Sequence, residues 1–173
     1  MKLENIDKSI QKQDILQGIS LEVSPQKLTA FIGPNGAGKS TLLSIMSRLT
    51  KKDQGVLSIK GREIESWNSQ ELAQDTDFIL LDEPLNNLDI KQSVSMMQIL
   101  RRLVEELGKT IIIVLHDINM ASQYADEIVA FKDGQVFSKG RTDQIMQADL
   151  LSQLYEIPIT LADINDKKIC IYS

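Results

Sequence analysis

Along most of this chain the apolar residues fall into two alternating rhythms. Leu28-Thr29-Ala30-Phe31-Ile32, Phe78-Ile79-Leu80-Leu81 and Thr110-Ile111-Ile112-Ile113-Val114-Leu115 are short, nearly unbroken apolar runs. Such runs mark strands buried on both faces, as in a parallel sheet. Between them, Thr41-Leu42-Leu43-Ser44-Ile45-Met46 has helical spacing, and a helix is expected to run to about Leu49. From Ile90 to Leu107 apolar residues at 90, 94, 97, 100, 103, 104 and 107 predict a long amphipathic helix. Asp89 stands where a cap belongs, and Gly108 where a helix-ending glycine belongs. Ahead of residue 28 the pattern changes to short alternations such as Ile19, Leu21 and Val23, which read as antiparallel strands. Hairpins are expected over Gly55–Ile64, turning at Gly61, and around Asp133-Gly134; Asn68–Ala73 is at most a short polar helix, and a short helix after residue 115 and a small tail complete the chain. There is no repeat and no low-complexity stretch. The order implies an α/β fold with a mostly parallel sheet, helices on both faces, and a small N-terminal antiparallel β-subdomain.

The 173 residues suffice for one domain with a sizeable core but not comfortably for two. A net charge of −5 argues against nucleic acid or an anionic membrane surface as partner. The single cysteine, Cys170, rules out an internal disulfide, suits a reducing compartment, and reads as a small residue in a C-terminal strand. No apolar run reaches the roughly 18 residues a membrane span needs. The N-terminus resembles no signal peptide. A cytoplasmic location is therefore expected.

Residues 33–40 read Gly33-Pro34-Asn35-Gly36-Ala37-Gly38-Lys39-Ser40, a complete G-x-x-x-x-G-K-S phosphate loop between a predicted strand and a predicted helix. Its glycines let backbone N–H groups close on phosphate oxygens, and the helix start adds partial positive charge. Lys39 can reach the β- and γ-phosphates of a bound nucleotide, and the Ser40 hydroxyl can ligate Mg²⁺. Leu80-Leu81-Asp82-Glu83-Pro84 places two carboxylates at a strand end, where ligands of open α/β sheets bind. Asp82 suits Mg²⁺, directly or through water; Glu83 suits orientation and polarisation of an attacking water. His116 is the sole histidine and ends the other buried strand, from which it could contact the γ-phosphate. Asn86-Asn87-Leu88-Asp89 taken alone is a turn and a helix cap.

In this order the elements resemble the ATP-binding-cassette (ABC) family of transporter ATPases, within the phosphate-loop (RecA-like) nucleoside triphosphatases. GPNGAGKST at 33–41 is similar to its Walker A motif, FILLDEP at 78–84 to its Walker B strand with the catalytic glutamate, NNLD at 86–89 to its D-loop, and His116 in IIIVLHD to its switch histidine. The segment Leu81–Gly140, containing HDINMASQYADEIVAFKDG, most resembles ATPases of bacterial iron–siderophore importers. The resemblance implies that residues 33–41 bind ATP, with Lys39, Ser40 and Thr41 on the phosphates. It implies Ser40 and Asp82 at Mg²⁺, Glu83 as general base, His116 at the γ-phosphate, and Asp89 at a dimer interface. It also implies an integral membrane permease, a second ATPase subunit, and a peripheral position on the inner face of the bacterial membrane. A small kinase or a DNA-repair ATPase fits less well, lacking a basic lid segment and a long heptad run.

The chain departs from that pattern. Lys39 and Asp82 lie 43 positions apart, where the family carries several tens of residues more, including the Q-loop glutamine and a helical subdomain with the LSGGQ signature. That signature is absent here. The join is expected near Leu72-Ala73-Gln74, making residues 1–173 one nucleotide-binding domain shortened between about 65 and 77. Gln74 belongs to the segment before Asp82 and is not given the Q-loop role. Ile10 stands roughly where the family often stacks an aromatic on adenine, and it lacks that π-face. The expectation is ATP binding with impaired turnover, or a nucleotide-binding remnant with none.

Overall fold

The structure, a computed structural model, describes residues 1–68, 70–71, 77–164 and 167–172. The join expected near residues 72–74, and Gln74 with it, lies outside the described residues, as do Ser69, Leu72 and Ala73 of the polar segment 68–73.

Strands β1 (Lys2–Ile10) and β2 (Gln13–Glu22) form an antiparallel hairpin, and β4 (Gln54–Ile59) with β5 (Arg62–Glu63) extends it into a four-stranded sheet ordered β2-β1-β4-β5. A second sheet of five strands is ordered β6-β7-β3-β8-β9. Its members are β3 (Leu28–Ile32), β6 (Phe78–Asp82), β7 (Thr110–Val114), β8 (Glu127–Lys132) and β9 (Gln135–Arg141). The pairs β6–β7, β7–β3 and β3–β8 are parallel, and β9 closes the sheet antiparallel to β8. This is the mixed, mostly parallel α/β architecture that the apolar rhythm predicts, with its small antiparallel companion.

Side-chain alternation along the central strands divides the core. Phe31, Ile112 and Phe131 face the β1–β2 hairpin and helix α1 (Lys39–Met46), packing on Leu3, Ile6, Leu16 and Leu42. The Phe31 and Phe131 rings meet with centroids 4.9 Å apart at 60°, within the tilted geometry that aromatic pairs prefer. Leu28, Ile32, Ile111 and Ile113 face the other way. That face is covered by α2 (Ile90–Leu107), α3 (Ile118–Tyr124) and α5 (Ala148–Tyr155), through Met97, Leu100, Val104, Ile118, Leu151 and Leu154.

Helix α2 begins and ends where its residues dictate. The Asp89 carboxylate accepts a hydrogen bond from the Gln92 backbone N–H while the Gln92 side-chain oxygen accepts one from the Asp89 backbone N–H, and Gly108 stops the helix at φ 63°. Helix α1 ends at Met46, three residues short of the expected Leu49, because Arg48 turns into the left-handed region at φ 62°. The chain then folds back, with the N–H groups of Leu49 and Thr50 both donating to the Ser44 carbonyl.

Two expectations need further correction. The run Phe78–Leu81 forms a parallel strand, but its residues are only half-buried, because β6 is the edge of the sheet and pairs with β7 alone among the described residues. The C-terminal part is more than a small tail. After β9 come α4 (Thr142–Ile145), α5, and a third hairpin of β10 (Ile159–Ile164) with β11 (Lys167–Tyr172), whose Cys170 is buried against α3 and α5. Burial pushes the Cys170 thiol up to about 11, consistent with a packing role. No helix among the described residues is long and apolar enough to cross a membrane.

Candidate nucleotide site

Three parallel strands deliver their C-terminal ends to one place. The loop 33–38 leaves β3, Asp82 is the last residue of β6 paired with Val114 of β7, and His116 follows two residues beyond β7. His116 thus lies past the strand that the sequence suggested it ends.

The loop's shape depends on its glycines. Gly33 (φ 136°) runs so close to β8 that a Cβ there would sit 2.1 Å from the Phe131 carbonyl oxygen. Gly38 (φ 93°) is the residue before α1, and a Cβ would meet Leu16 at 2.5 Å and the Ile15 carbonyl at 2.9 Å. Gly36 (φ 81°) differs: a Cβ would meet nothing within 4 Å. The loop is therefore pinned on its outer side and open at its rim, where Asn35 and Gly36 are exposed and Ala37 is buried. Helix α1 starts directly behind, so its first N–H groups lack intrahelical acceptors and face the opening.

Lys39 is 4% exposed, and its ammonium donates to the carbonyls of Gly33 and Pro34 at 2.8 Å each. Burial lowers its pKa, while the nearby Glu83 and Asp82 charges pull it up. A buried cation whose hydrogen-bond partners are neutral carbonyls is poised for an anion, while the two carboxylates close by suit an accompanying cation. The Ser40 hydroxyl donates to Asp82 Oδ1 at 2.9 Å, joining loop to strand end. Thr41 is half-buried in the first turn of α1.

Glu83 sits in the left-handed region at φ 46°, an uncommon conformation for a residue with a Cβ. Its carboxylate is held at both oxygens, Oε1 by His116 Nε2 at 2.7 Å and Oε2 by Asn86 Nδ2 at 2.7 Å. The hydrogen bond from His116 is the main reason its carboxyl lies below the usual glutamate range; burial opposes it and Asn86 adds to it. A cleft of about 260 Å³, lined by Glu83, Asn86, Ser93, His116 and Met120 among others, opens beside this pair.

The predicted residues Gly33 to Thr41, Asp82, Glu83 and His116 are thus gathered at one sheet edge. Asp89 is spent as the α2 cap, and Ile10 ends β1 with 46% of its surface exposed. Two features escaped the sequence reading. One is Asn86, which looked like a turn residue. The other is a wall of Lys132, from β8, with Leu154, Tyr155 and Glu156, from α5 and its end, against Pro34–Ala37, assembled without any local motif.

The arrangement suits a nucleoside triphosphate with a divalent cation. It offers an open rim of main-chain N–H groups, a desolvated ammonium, and a hydroxyl–carboxylate pair of hard oxygen donors.

Comparison with known proteins agrees. The sequence model of the family described as ABC transporter matches residues 16–160. The chain belongs to the ABC transporter family. It is 35% identical to the petrobactin import ATP-binding protein YclP of Bacillus subtilis (strain 168), over 249 aligned positions covering 99% of each chain. It is 24% identical to the ferric enterobactin transport ATP-binding protein FepC of Escherichia coli (strain K12), over 88% of this chain and 85% of that one. Among solved structures it superposes on the dimeric MJ0796 bacterial ABC transporter cassette with a TM-score of 0.74 at 21% identity, covering 82% of this chain and 98% of that one. It superposes on a putative metal-chelate type ABC transporter at 0.76 and 18%, covering 99% and 96%. A structure of MJ0796 carries ADP and Pi. The 249-position alignment exceeds the 173 residues by 76, so this ABC cassette is internally truncated relative to YclP by at least that many residues.

Proposed function

We propose that this chain is the ATP-binding subunit of an ABC importer for iron–siderophore complexes, and that its internal truncation leaves it a weak ATPase. The observation that carries the reading is the convergence of Lys39, Ser40, Asp82, Glu83 and His116 at the ends of β3, β6 and β7. The cargo class is taken from relatives named for petrobactin and enterobactin.

In this reading the N–H groups of residues 36–41 and the Lys39 ammonium grip the triphosphate, with Lys39 moving part of its hydrogen bonding from the Gly33 and Pro34 carbonyls to phosphate oxygens. Ser40 and Asp82 would hold Mg²⁺, which would supply positive charge to offset that of the phosphates. Glu83, ionised and aimed by its two partners, orients the attacking water and accepts its proton; His116 stays beside the γ-phosphate. Phosphoryl transfer depends mostly on positioning and charge stabilisation. Losing one oxyanion-type donor costs about 10²–10³ in rate, and the truncated interval takes with it a signature that would supply several from a second subunit. The reading places residues 1–173 in one nucleotide-binding domain, with a permease and a second subunit as partners and the cytoplasmic membrane face as location. The size of the missing interval also favours a second reading, a nucleotide-binding remnant without turnover.

Calorimetric titration of ATP with and without Mg²⁺, on the parent and on Lys39→Ala, tests the binding claim, and phosphate release separates the two readings. The parent should bind and Lys39→Ala should bind at least tenfold more weakly, with similar melting curves. Equal affinities would remove Lys39 from the site, and turnover near ~10 s⁻¹, a median enzyme rate, would refute the impairment.

A further inference from the structure

The Asn86 side chain lies within a turn that it also builds. Its backbone N–H donates to the Glu83 carbonyl at 3.2 Å, and the Leu88 N–H to the Leu85 carbonyl at 3.2 Å. These two steps lead from the end of β6 into the capped start of α2. Both Glu83 and Asn87 sit at positive φ, 46° and 66°. A glutamate held in that backbone conformation does not aim its carboxylate unaided, since its side chain retains several rotamers. Here one oxygen meets the Asn86 amide and the other meets His116, each at 2.7 Å. Remove either donor and the carboxylate can swivel about the remaining one.

We propose that Asn86 is a positioning residue for Glu83: its carboxamide fixes the rotation of the Glu83 carboxylate so that the opposite oxygen stays on His116. It acts through Glu83 and has no contact with nucleotide of its own. This rests on the proposed role of Glu83 only where turnover is concerned; the clamp itself is a property of the nucleotide-free protein.

The test uses the fact that His116 is the sole histidine. In protein labelled with ¹⁵N-histidine, a single Nε2–H reports the Glu83 contact, through its exchange rate with water. Asn86→Ala should speed that exchange threefold or more, and Asn86→Gln, which keeps a carboxamide donor, should return part of the protection. Asn86 is exposed, so melting temperatures should stay within about 2 °C of the parent. Exchange accelerated less than threefold in Asn86→Ala overturns the proposal, whether or not the protein hydrolyses ATP. Where single-turnover hydrolysis is measurable, Asn86→Ala should lower the rate about ten- to a hundredfold, the upper end being the cost of a 1 Å misplacement, with half-saturating ATP within twofold of the parent. A raised half-saturation at unchanged rate also overturns it. A parent with no turnover but the predicted exchange change supports the clamp and faults the hydrolysis reading alone.

Discussion

Gly36→Ala adds one methyl group at the rim of the phosphate loop, where the structure leaves nothing within 4 Å of it. The substitution therefore makes no clash in the nucleotide-free fold. Its cost there is the left-handed backbone alone, at φ 81°, about 1–2 kcal/mol for a residue with a Cβ. In a chain of this size each kcal/mol lowers the melting temperature by about 2–4 °C, so a fall of roughly 2–8 °C is expected. Binding should suffer more, because the methyl group occupies the space a phosphate oxygen would take and deflects the N–H groups around it. Affinity for ATP should fall at least about tenfold, or 1.4 kcal/mol. Gly33→Ala is the control with the opposite profile. Its Cβ would lie 2.1 Å from a carbonyl oxygen of β8, a strand hydrogen-bonded on both sides, which has no room to yield. That substitution should cost more than about 4 kcal/mol, a range reserved for backbone strain and core disruption. Differential scanning fluorimetry and titration calorimetry on the pair decide the matter. Gly36→Ala binding ATP within twofold of the parent would refute the assignment of the rim to phosphate; Gly33→Ala melting with the parent would refute the packing argument.

Three further outcomes are expected. Met97→Ala, at a fully buried position of α2, should lose about 2–4 kcal/mol, seen in urea as a lower midpoint at unchanged slope; a loss below 1 kcal/mol would contradict the core assignment. Glu127 is buried, which raises its pKa, but hydrogen bonds from Lys27 and Ser24 outweigh this and leave it below its ordinary 4.5. A depressed carboxyl contributes stability above its unfolded pKa and loses it as pH falls through the folded one. Glu127→Gln should therefore be less stable than the parent at pH 7, with the gap closing below about pH 4.5; equal stability at pH 7 would count against it. Glu83→Gln with ATP and Mg²⁺ should sediment as a monomer, since the signature that would face the partner's loop is missing; a nucleotide-dependent dimer would overturn the impaired-clamp reading.

Much of this could be read from residue order because the signals were local. Asp89 and Gly108 mark both ends of α2 by cap chemistry, and Gly61 and Gly134 mark two hairpins whose turn residues, Lys60-Gly61 and Asp133-Gly134, are all at positive φ. The turn between β1 and β2 uses the same conformation at Gln11 and Lys12 (φ 50° and 67°) without a glycine to announce it. The half-burial of Phe78–Leu81 was invisible because an apolar run reports strand character, not the number of neighbours the strand will have. The Asn86 contact was missed for a related reason. A turn asparagine reads the same whether its amide faces water or a carboxylate three residues back. The wall of Leu154, Tyr155 and Glu156 beside the loop depends on how α5 docks, a long-range outcome that no window of sequence contains.

The flank of β6 that has no strand partner among the described residues sets how this protein behaves at high concentration. Four consecutive apolar residues, Phe78 to Leu81, stand there without the lysine, proline or bulge that usually guards a sheet margin. Molecules meeting along that flank can zip edge to edge, so losses during purification should grow with the square of concentration.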